Sequence, residues 1–150
     1  MKPHVYNQVT YINRPLSEVF EFFSKAENLN KLTPPILEFK IITPLPIKME
    51  KGTFIDYKIK LNGISFKWKT QITAWENNRR FIDTQIKGPY KIWIHEHLFE
   101  EENGQVKMTD TVQYLSPGWF LEPIINKLYI SKKVEEIFAY RTIELDKLFA

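Results

Sequence analysis

Two Asn-Gly pairs, each set between stretches of alternating apolar and polar residues, constrain the fold of this chain more than any other feature. They are Asn62-Gly63 and Asn103-Gly104. An Asn-Gly pair is the strongest short-range signal for a two-residue hairpin turn, because both positions of that turn need a positive φ. The second turn predicts these facing pairs across the two strands: Trp93 and Tyr114, His95 and Val112, His97 and Asp110, Phe99 and Met108. All eight side chains then share one face of the sheet, and this mixture of polar and apolar groups is typical of a small-molecule site.

The first Asn-Gly turn predicts a second hairpin, with one apolar and one polar face. Pairing Leu61 with Ile64 sets its register. The register places these residues opposite one another: Ile59 and Phe66, Tyr57 and Trp68, and, on the polar face, Asp56 and Lys69. Four lysines alternate with the apolar residues: Lys58, Lys60, Lys67 and Lys69. We interpret them as a solvated sheet face and predict no nucleic-acid partner.

The segments before and between the hairpins are predicted from proline positions and apolar spacing. We expect a strand over residues 4–13 and a helix that begins near Pro15 and ends near 26–32, before two prolines. A short strand is predicted over 36–43 and another over 80–87. The inward face of the latter strand is left open, since Phe81, Asp83 and Gln85 share one side and Ile82, Thr84 and Ile86 the other.

The chain is predicted to end in one long helix from Glu122 to Phe149. Pro123 suits its first turn, and apolar residues recur at three-to-four spacing along it: Ile124, Leu128, Val134, Phe138, Leu145 and Leu148. The helix would be about 40 Å long, which is enough to cover a sheet. Helices and strands do not alternate along the sequence. The pattern therefore favours an α+β fold with a curved antiparallel sheet of six to seven strands.

Composition bounds the class of protein. A chain of 150 residues predicts a single domain over 1–150, and aromatic residues make up 15% of it. There are no cysteines, which excludes disulfides, thiol catalysis and cysteine-ligated metal. The net charge is +3, and neither a signal-peptide core nor an apolar span is present in the sequence. We therefore expect a cytoplasmic protein without membrane insertion.

Four stretches, in order along the chain, resemble the SRPBCC superfamily, the helix-grip group of START, Bet v 1-like and polyketide cyclase/dehydrase proteins. Within that group the sequence is most similar to bacterial ligand-binding SRPBCC domain proteins. The first two stretches are Glu27–Leu29 with Leu32–Pro35, and Gly52–Tyr57. The third is Arg80–Asp83 with Gly88–Tyr90, Trp93, His95, His97 and Phe99. The fourth is Met108–Asp110, Val112 and Tyr114, with Ile137, Phe138, Tyr140 and Arg141 in the last helix. The resemblance implies a helix-grip fold and an apolar ligand held between the sheet and the last helix.

Twelve residues are candidates for contact with that ligand. They are Tyr57, Phe66, Trp68, Trp93, His95, His97, Phe99, Met108, Asp110, Val112, Tyr114 and Arg141. The aromatic residues either line a cavity or pack on the last helix as core, and the sequence leaves both open. Arg141 either reaches out to the rim or supplies a counter-charge for a ligand carboxylate.

Three functions are open from the sequence, and the first is preferred. In the first, the chain binds or carries a small hydrophobic molecule. In the second, it is a cyclase or dehydratase with His97 as acid or base and Asp110 as the orienting partner. In the third, it is a protein-interaction module with an exposed apolar patch. Two histidines in an i, i+2 pair near Asp110 also resemble a minimal zinc or iron site. Our prediction is nevertheless that no metal and no cofactor is used.

Overall fold

A seven-stranded antiparallel sheet forms the body of the protein. The computed structural model describes residues 2–118 and 121–150, apart from the side chain of Leu128. The strands are β1 (His4–Ile12), β2 (Lys40–Ile41), β3 (Phe54–Leu61), β4 (Ile64–Glu76), β5 (Arg80–Lys87), β6 (Ile92–Glu102) and β7 (Gln105–Leu115). Their order across the sheet is β1-β7-β6-β5-β4-β3-β2. The first strand therefore pairs with β7, the second strand of the last hairpin.

The helices follow β1 and β7 in the sequence. Between β1 and β2 come α1 (Leu16–Phe23), a 3₁₀ turn (Ala26–Asn28), α2 (Leu29–Leu32) and a second 3₁₀ turn (Pro35–Leu37). The C-terminal helix consists of α3 (Glu122–Ile125), a π-helical turn (Asn126–Ile130) and α4 (Ser131–Leu148). The predicted architecture of antiparallel sheet, short helices after the first strand and long last helix is confirmed. Among the described residues, none of these helices is both long and apolar enough to cross a membrane.

The predicted strand over 36–43 is mostly wrong. Only Lys40 and Ile41 form ladder pairs with β3, and Pro35–Leu37 form the second 3₁₀ turn. Pro35 begins that turn, where its fixed φ suits a helical start and its missing N–H costs no hydrogen bond. The turn ends at Glu38, whose φ of 44° lies in the left-handed region.

Both Asn-Gly turns and the registers derived from them are confirmed. Each asparagine has a φ of 52° and each following glycine a φ of 78°. In the first hairpin Tyr57 pairs with Trp68, and in the second His97 pairs with Asp110, as the turns predicted. The four lysines of the first hairpin lie on its exposed or half-exposed face, in keeping with their interpretation as a solvated surface.

The facing of β5, left open by the sequence, is settled by irregular pairing with β4. The register between these strands shifts between Lys69 and Thr70 and again between Ile72 and Ala74. Each shift inserts an extra residue and so breaks the simple alternation from one strand to the next. As a result Asp83 lies opposite the buried Ile72, and Phe81 and Asp83 both face the interior.

Candidate functional site

A cavity of about 180 Å³ lies between the sheet, the segment α1–α2 and the C-terminal helix. Strands β3 to β6 supply one wall, and Ile137, Phe138 and Arg141 of α4 supply another. The segment α1–α2 closes a third side with Phe22, Phe23, Ala26, Asn28, Leu29 and Leu32. Lys25 and Leu29, which are exposed, mark where this wall meets solvent.

Six of the twelve predicted contact residues lie on the cavity wall. They are Tyr57, Trp68, Trp93, His95, His97 and Arg141. Their side chains come from three strands and the last helix, and the structure brings them to one space. The role of each toward a ligand remains a prediction.

The other six predicted contact residues lie outside that wall. Phe99 and Met108 belong to a core packed under α1, and Val112 and Tyr114 pack against α4. Asp110 is fully buried behind the histidines. Phe66 lines a separate, more open depression beside Pro89. Facing inward is thus not enough to reach the cavity, because helices occupy part of the inner face of the sheet.

Aromatic rings form the apolar end of the cavity. Tyr57 and Trp68 stack with centroids 5.6 Å apart, and Trp68 meets the edge of Trp93 at the same distance. Tyr90 adds a fourth ring, 4.8 Å from Trp93. Such offset and edge contacts stabilise the rings in fixed positions, so the apolar wall is preformed. The indole N–H of Trp68 is buried and has no acceptor within the described part of the chain.

Tyr90 was not among the predicted contacts, and its position depends on β5. The Gln85 side chain donates from Nε2 to the Tyr90 carbonyl at 2.6 Å and accepts from the Tyr90 N–H at 3.2 Å. These two bonds hold the connection between β5 and β6 against the sheet. Burial raises the pKa of the Tyr90 hydroxyl to about 12, so the ring is neutral at physiological pH.

A buried polar cluster forms the other end of the cavity, and its hydrogen bonds differ from those expected. His97 lies opposite Asp110 in the register, yet its Nε2 bonds to Oδ2 of Asp83 at 2.7 Å. His95 instead bonds from Nε2 to Oδ1 of Asp110 at 2.7 Å. The predicted pair His97–Asp110 is only a 3.5 Å contact from Nδ1 to Oδ1. Each imidazole therefore bonds to a different carboxylate, and the partner of His95 is Asp110, its diagonal neighbour on β7.

Strand alternation and stacking explain this arrangement. His95 and His97 are two residues apart on β6, so both point inward, and their rings stack with centroids 3.7 Å apart. Phe81 on β5 stacks on the outer side of His97 at 4.1 Å. The two imidazoles are therefore fixed between carboxylates on β5 and β7.

Asp83 is the important residue that sequence reasoning left unassigned. Its side chain is 19% exposed, lines the cavity and lies 2.7 Å from His97. The alternation of Phe81 and Asp83 places them on one face of β5, as it does for the residues of β6. Which face that is could not be predicted, because the pairing of β4 with β5 is irregular.

Of the two interpretations of Arg141 from the sequence, the first does not fit, because the residue is 5% exposed and does not reach out to the rim. Arg141 lines the cavity, and a role toward a ligand carboxylate stays a prediction. Its Nη2 lies 3.2 Å from Oδ1 of Asp110, a close ion pair without the alignment of a hydrogen bond. The guanidinium also lies 5.2 Å from the ring of Phe23 and 5.7 Å from that of Phe138. Arg141 thus compensates the charge of the buried aspartate from the helix side.

The charges of the cluster follow from burial and pairing. Burial alone would raise the pKa of Asp110 and of Asp83, but neighbouring cations and hydrogen bonds outweigh it and hold both pKa values below the usual range. For Asp110 the largest of these is Arg141, and for Asp83 it is the bond from His97. Burial and the neighbouring His95 lower the pKa of His97 to about 4, despite its carboxylate neighbours. Both aspartates are therefore ionised at pH 7, and His97 is neutral.

Hydrogen bonding fixes which ring nitrogen of each histidine carries a proton. The neutral imidazole of His97 must carry its proton on Nε2 to donate to Asp83, and His95 must carry one on Nε2 to donate to Asp110. Nδ1 of His95 lies 3.9 Å from Oδ2 of Asp83, beyond hydrogen-bond distance. One atom each of Asp83, His95 and His97 also lies within 4.8 Å of the others, a spacing that metal ligands can adopt. The site therefore offers nitrogen and oxygen atoms as possible ligands of one ion.

Comparison with known proteins adds a family and a set of similar folds. Residues 12–129 match the sequence family described as polyketide cyclase/dehydrase and lipid transport. No curated protein matches the chain. Among solved structures, Ms6760 from Mycobacterium smegmatis is 14% identical with a TM-score of 0.71, over 96% of this chain and 89% of that one. The protein TTHA0849 from Thermus thermophilus is 15% identical with a TM-score of 0.68, over 98% and 100%. Major latex-like protein 151 from Panax ginseng is 10% identical with a TM-score of 0.67, over 99% of each chain.

At these identities the solved structures establish likeness of fold alone. The family match is of a different kind, because it extends from the end of β1 into the C-terminal helix and includes most of the cavity wall. The chain belongs to the polyketide cyclase/dehydrase and lipid transport family of the SRPBCC superfamily.

Proposed function

We propose that this protein binds a small, mostly apolar molecule in the cavity beneath α1–α2 and the C-terminal helix. The observation that carries the proposal is the cavity itself, which has an aromatic end at Trp68 and Trp93 and a polar end at Asp83 and His95. Ligand sites are mostly apolar, with a few placed polar groups that fix orientation. An enclosed, mostly apolar cavity is what the first of the three functions requires.

The volume of the cavity limits the size of the molecule. At about 180 Å³ the space is well below the roughly 300–1,000 Å³ of pockets for drug-sized ligands. An engineered cavity of about 150 Å³ holds benzene. We therefore propose a ligand of one or two rings, or an aliphatic molecule of similar bulk, and not a long-chain lipid.

The two ends of the cavity define how such a ligand would lie. Its apolar body would contact the rings of Trp68, Tyr90 and Trp93, and a single hydroxyl or carbonyl group would lie beside Asp83 and His95. Asp83, whose side chain is 19% exposed, would accept a hydrogen bond from a ligand hydroxyl.

Binding of 2-naphthol tests the proposal, because this fluorescent molecule has two rings and one hydroxyl group. We expect saturable binding to the wild-type protein, measured by the change in naphthol fluorescence. Ala26 is buried on the cavity wall, so Ala26→Phe should fill the space. We expect the affinity to fall at least about tenfold, which corresponds to about 1.4 kcal/mol.

Ala139→Phe is the matched control, because Ala139 lies exposed on α4 and away from the cavity. It should leave the affinity for 2-naphthol unchanged. Equal binding by both variants, or no saturable binding by the wild type, would contradict the proposed cavity function.

A second candidate function is acid–base catalysis, supported by the bond from His95 to Asp110. The residue proposed for that role changes from His97 to His95, since Asp110 orients His95 through Nε2 and His95 lines the cavity. A base in this position could remove a proton next to a ligand carbonyl. Exchange of the α-protons of 2-tetralone in D₂O, followed by NMR, measures this step. Wild-type protein should accelerate the exchange and His95→Gln should not; equal rates would rule out His95 as the base.

A further inference from the structure

We propose that Asp83, His95 and His97 bind a divalent transition-metal ion at the polar end of the cavity. One nitrogen of each imidazole and one carboxylate oxygen lie within 4.8 Å of one another. Oδ2 of Asp83 lies 2.7 Å from Nε2 of His97 and 3.9 Å from Nδ1 of His95. Ligand atoms at about 2.1 Å from a tetrahedral metal are about 3.4 Å apart, between these two distances. Small side-chain rotations would therefore complete the site without moving the strands.

The ligand types select the class of metal. Two imidazole nitrogens and one carboxylate oxygen suit Zn²⁺, Fe²⁺, Co²⁺ or Ni²⁺, whereas Mg²⁺ and Ca²⁺ prefer oxygen alone. Three protein ligands also leave at least one coordination position open, as in catalytic metal sites. Because all three residues line the cavity, the open position faces the space where a ligand would lie.

Asp110 supports the inference independently, because it is not one of the three ligands. Its Oδ1 lies 2.7 Å from Nε2 of His95 and 3.5 Å from Nδ1 of His97. In both imidazoles the nitrogen near Asp110 is the one that the metal would leave free. A carboxylate behind metal-binding histidines fixes their tautomer and orientation, and it is a common feature of such sites. Arg141, 3.2 Å from the same oxygen, holds that carboxylate in turn.

Metal binding needs only these three side chains and does not depend on the proposed organic ligand. If both bind, the ion would contact the hydroxyl or carbonyl oxygen of the molecule in the cavity. Coordination would also occupy Nδ1 of His95, so acid–base catalysis by that atom belongs to the metal-free protein.

Titration of EDTA-treated wild-type protein with Zn²⁺ alone, by calorimetry, tests the site. We expect one equivalent to bind. Three variants each remove a ligand atom and should weaken Zn²⁺ binding more than Asp110→Asn does: Asp83→Asn, His95→Gln and His97→Gln. For Asp110→Asn we expect a loss of about 10–100-fold. His4→Gln is the matched control, because His4 is the third histidine, bonds to Glu122 and lies outside the cavity wall.

Co²⁺ provides a readout that does not depend on the folding of buried variants. In the wild-type protein it should give visible d–d absorption and two hyperfine-shifted, exchangeable imidazole protons, on Nε2 of His95 and Nδ1 of His97. Absence of Zn²⁺ binding, loss of binding only in His4→Gln, or a Co²⁺ complex without two imidazole protons would overturn the inference. Retained binding of 2-naphthol to the metal-free protein would show that the metal site alone had failed.

Discussion

Replacing Asp110 by Ala should lower the free energy of unfolding by about 3–5 kcal/mol. The variant leaves Arg141 buried without its counter-charge and removes the hydrogen-bond partner of His95. Removing one partner of a buried ion pair is costly because the other charge stays desolvated and uncompensated. Urea denaturation followed by circular dichroism measures the change, with the slope of the transition serving as a check on two-state unfolding.

The double variant Asp110→Ala with Arg141→Leu separates charge from packing. Since both charges are then removed, it should be more stable than Asp110→Ala alone. Asp146→Ala serves as a control, because Asp146 is exposed on the same helix as Arg141. If Asp110→Ala costs less than about 1 kcal/mol, or if the second substitution adds to the loss, the pair does not hold the cluster as described.

Replacing Phe99 by Ala should destabilise the protein by about 3–5 kcal/mol and leave the affinity for 2-naphthol within about threefold of wild type. Phe99 is 2% exposed and packs with Phe20 at 5.1 Å and Phe23 at 5.4 Å. These contacts place it in the core beneath α1 and outside the cavity wall. Its loss therefore removes core packing without removing a ligand contact. Urea denaturation and naphthol fluorescence measure the two quantities on the same sample.

Phe54→Ala is the matched control, because Phe54 is 49% exposed on β3. It should change stability far less than Phe99→Ala. A variant at Phe99 that keeps its stability but loses naphthol binding would place Phe99 in the site and contradict the division between core and cavity.

The division between core and cavity shows where sequence patterns stop being informative. Alternation on β6 and β7 predicted that Phe99 and His97 share the inner face, and they do. Both positions look alike in the sequence, because inward residues alternate whether a helix or a cavity lies above them. The packing of α1 against one end of the hairpin makes Phe99 core, while His97 stays open to the cavity. That decision depends on contacts between segments far apart in sequence.

The partners of the two histidines illustrate the same limit at a finer scale. The turn at Asn103-Gly104 set the pairing of His97 with Asp110 across the strands. Pairing fixes the positions of Cα atoms, but side-chain rotation chooses between a facing and a diagonal partner. His97 stacks on His95 and bonds to Asp83 of β5, so its side chain is not bonded to Asp110. Neither influence is visible within the hairpin itself.

The sequence alone determined the strands of the two Asn-Gly hairpins, their turns and the face on which each hairpin side chain lies, because a two-residue turn and a period of two are local properties. Only the tertiary structure decided that Asp83 joins the histidines, that Arg141 compensates Asp110, and which inward residues border the cavity. The reason is that irregular pairing between β4 and β5 and the placement of the helices both depend on packing between distant parts of the chain.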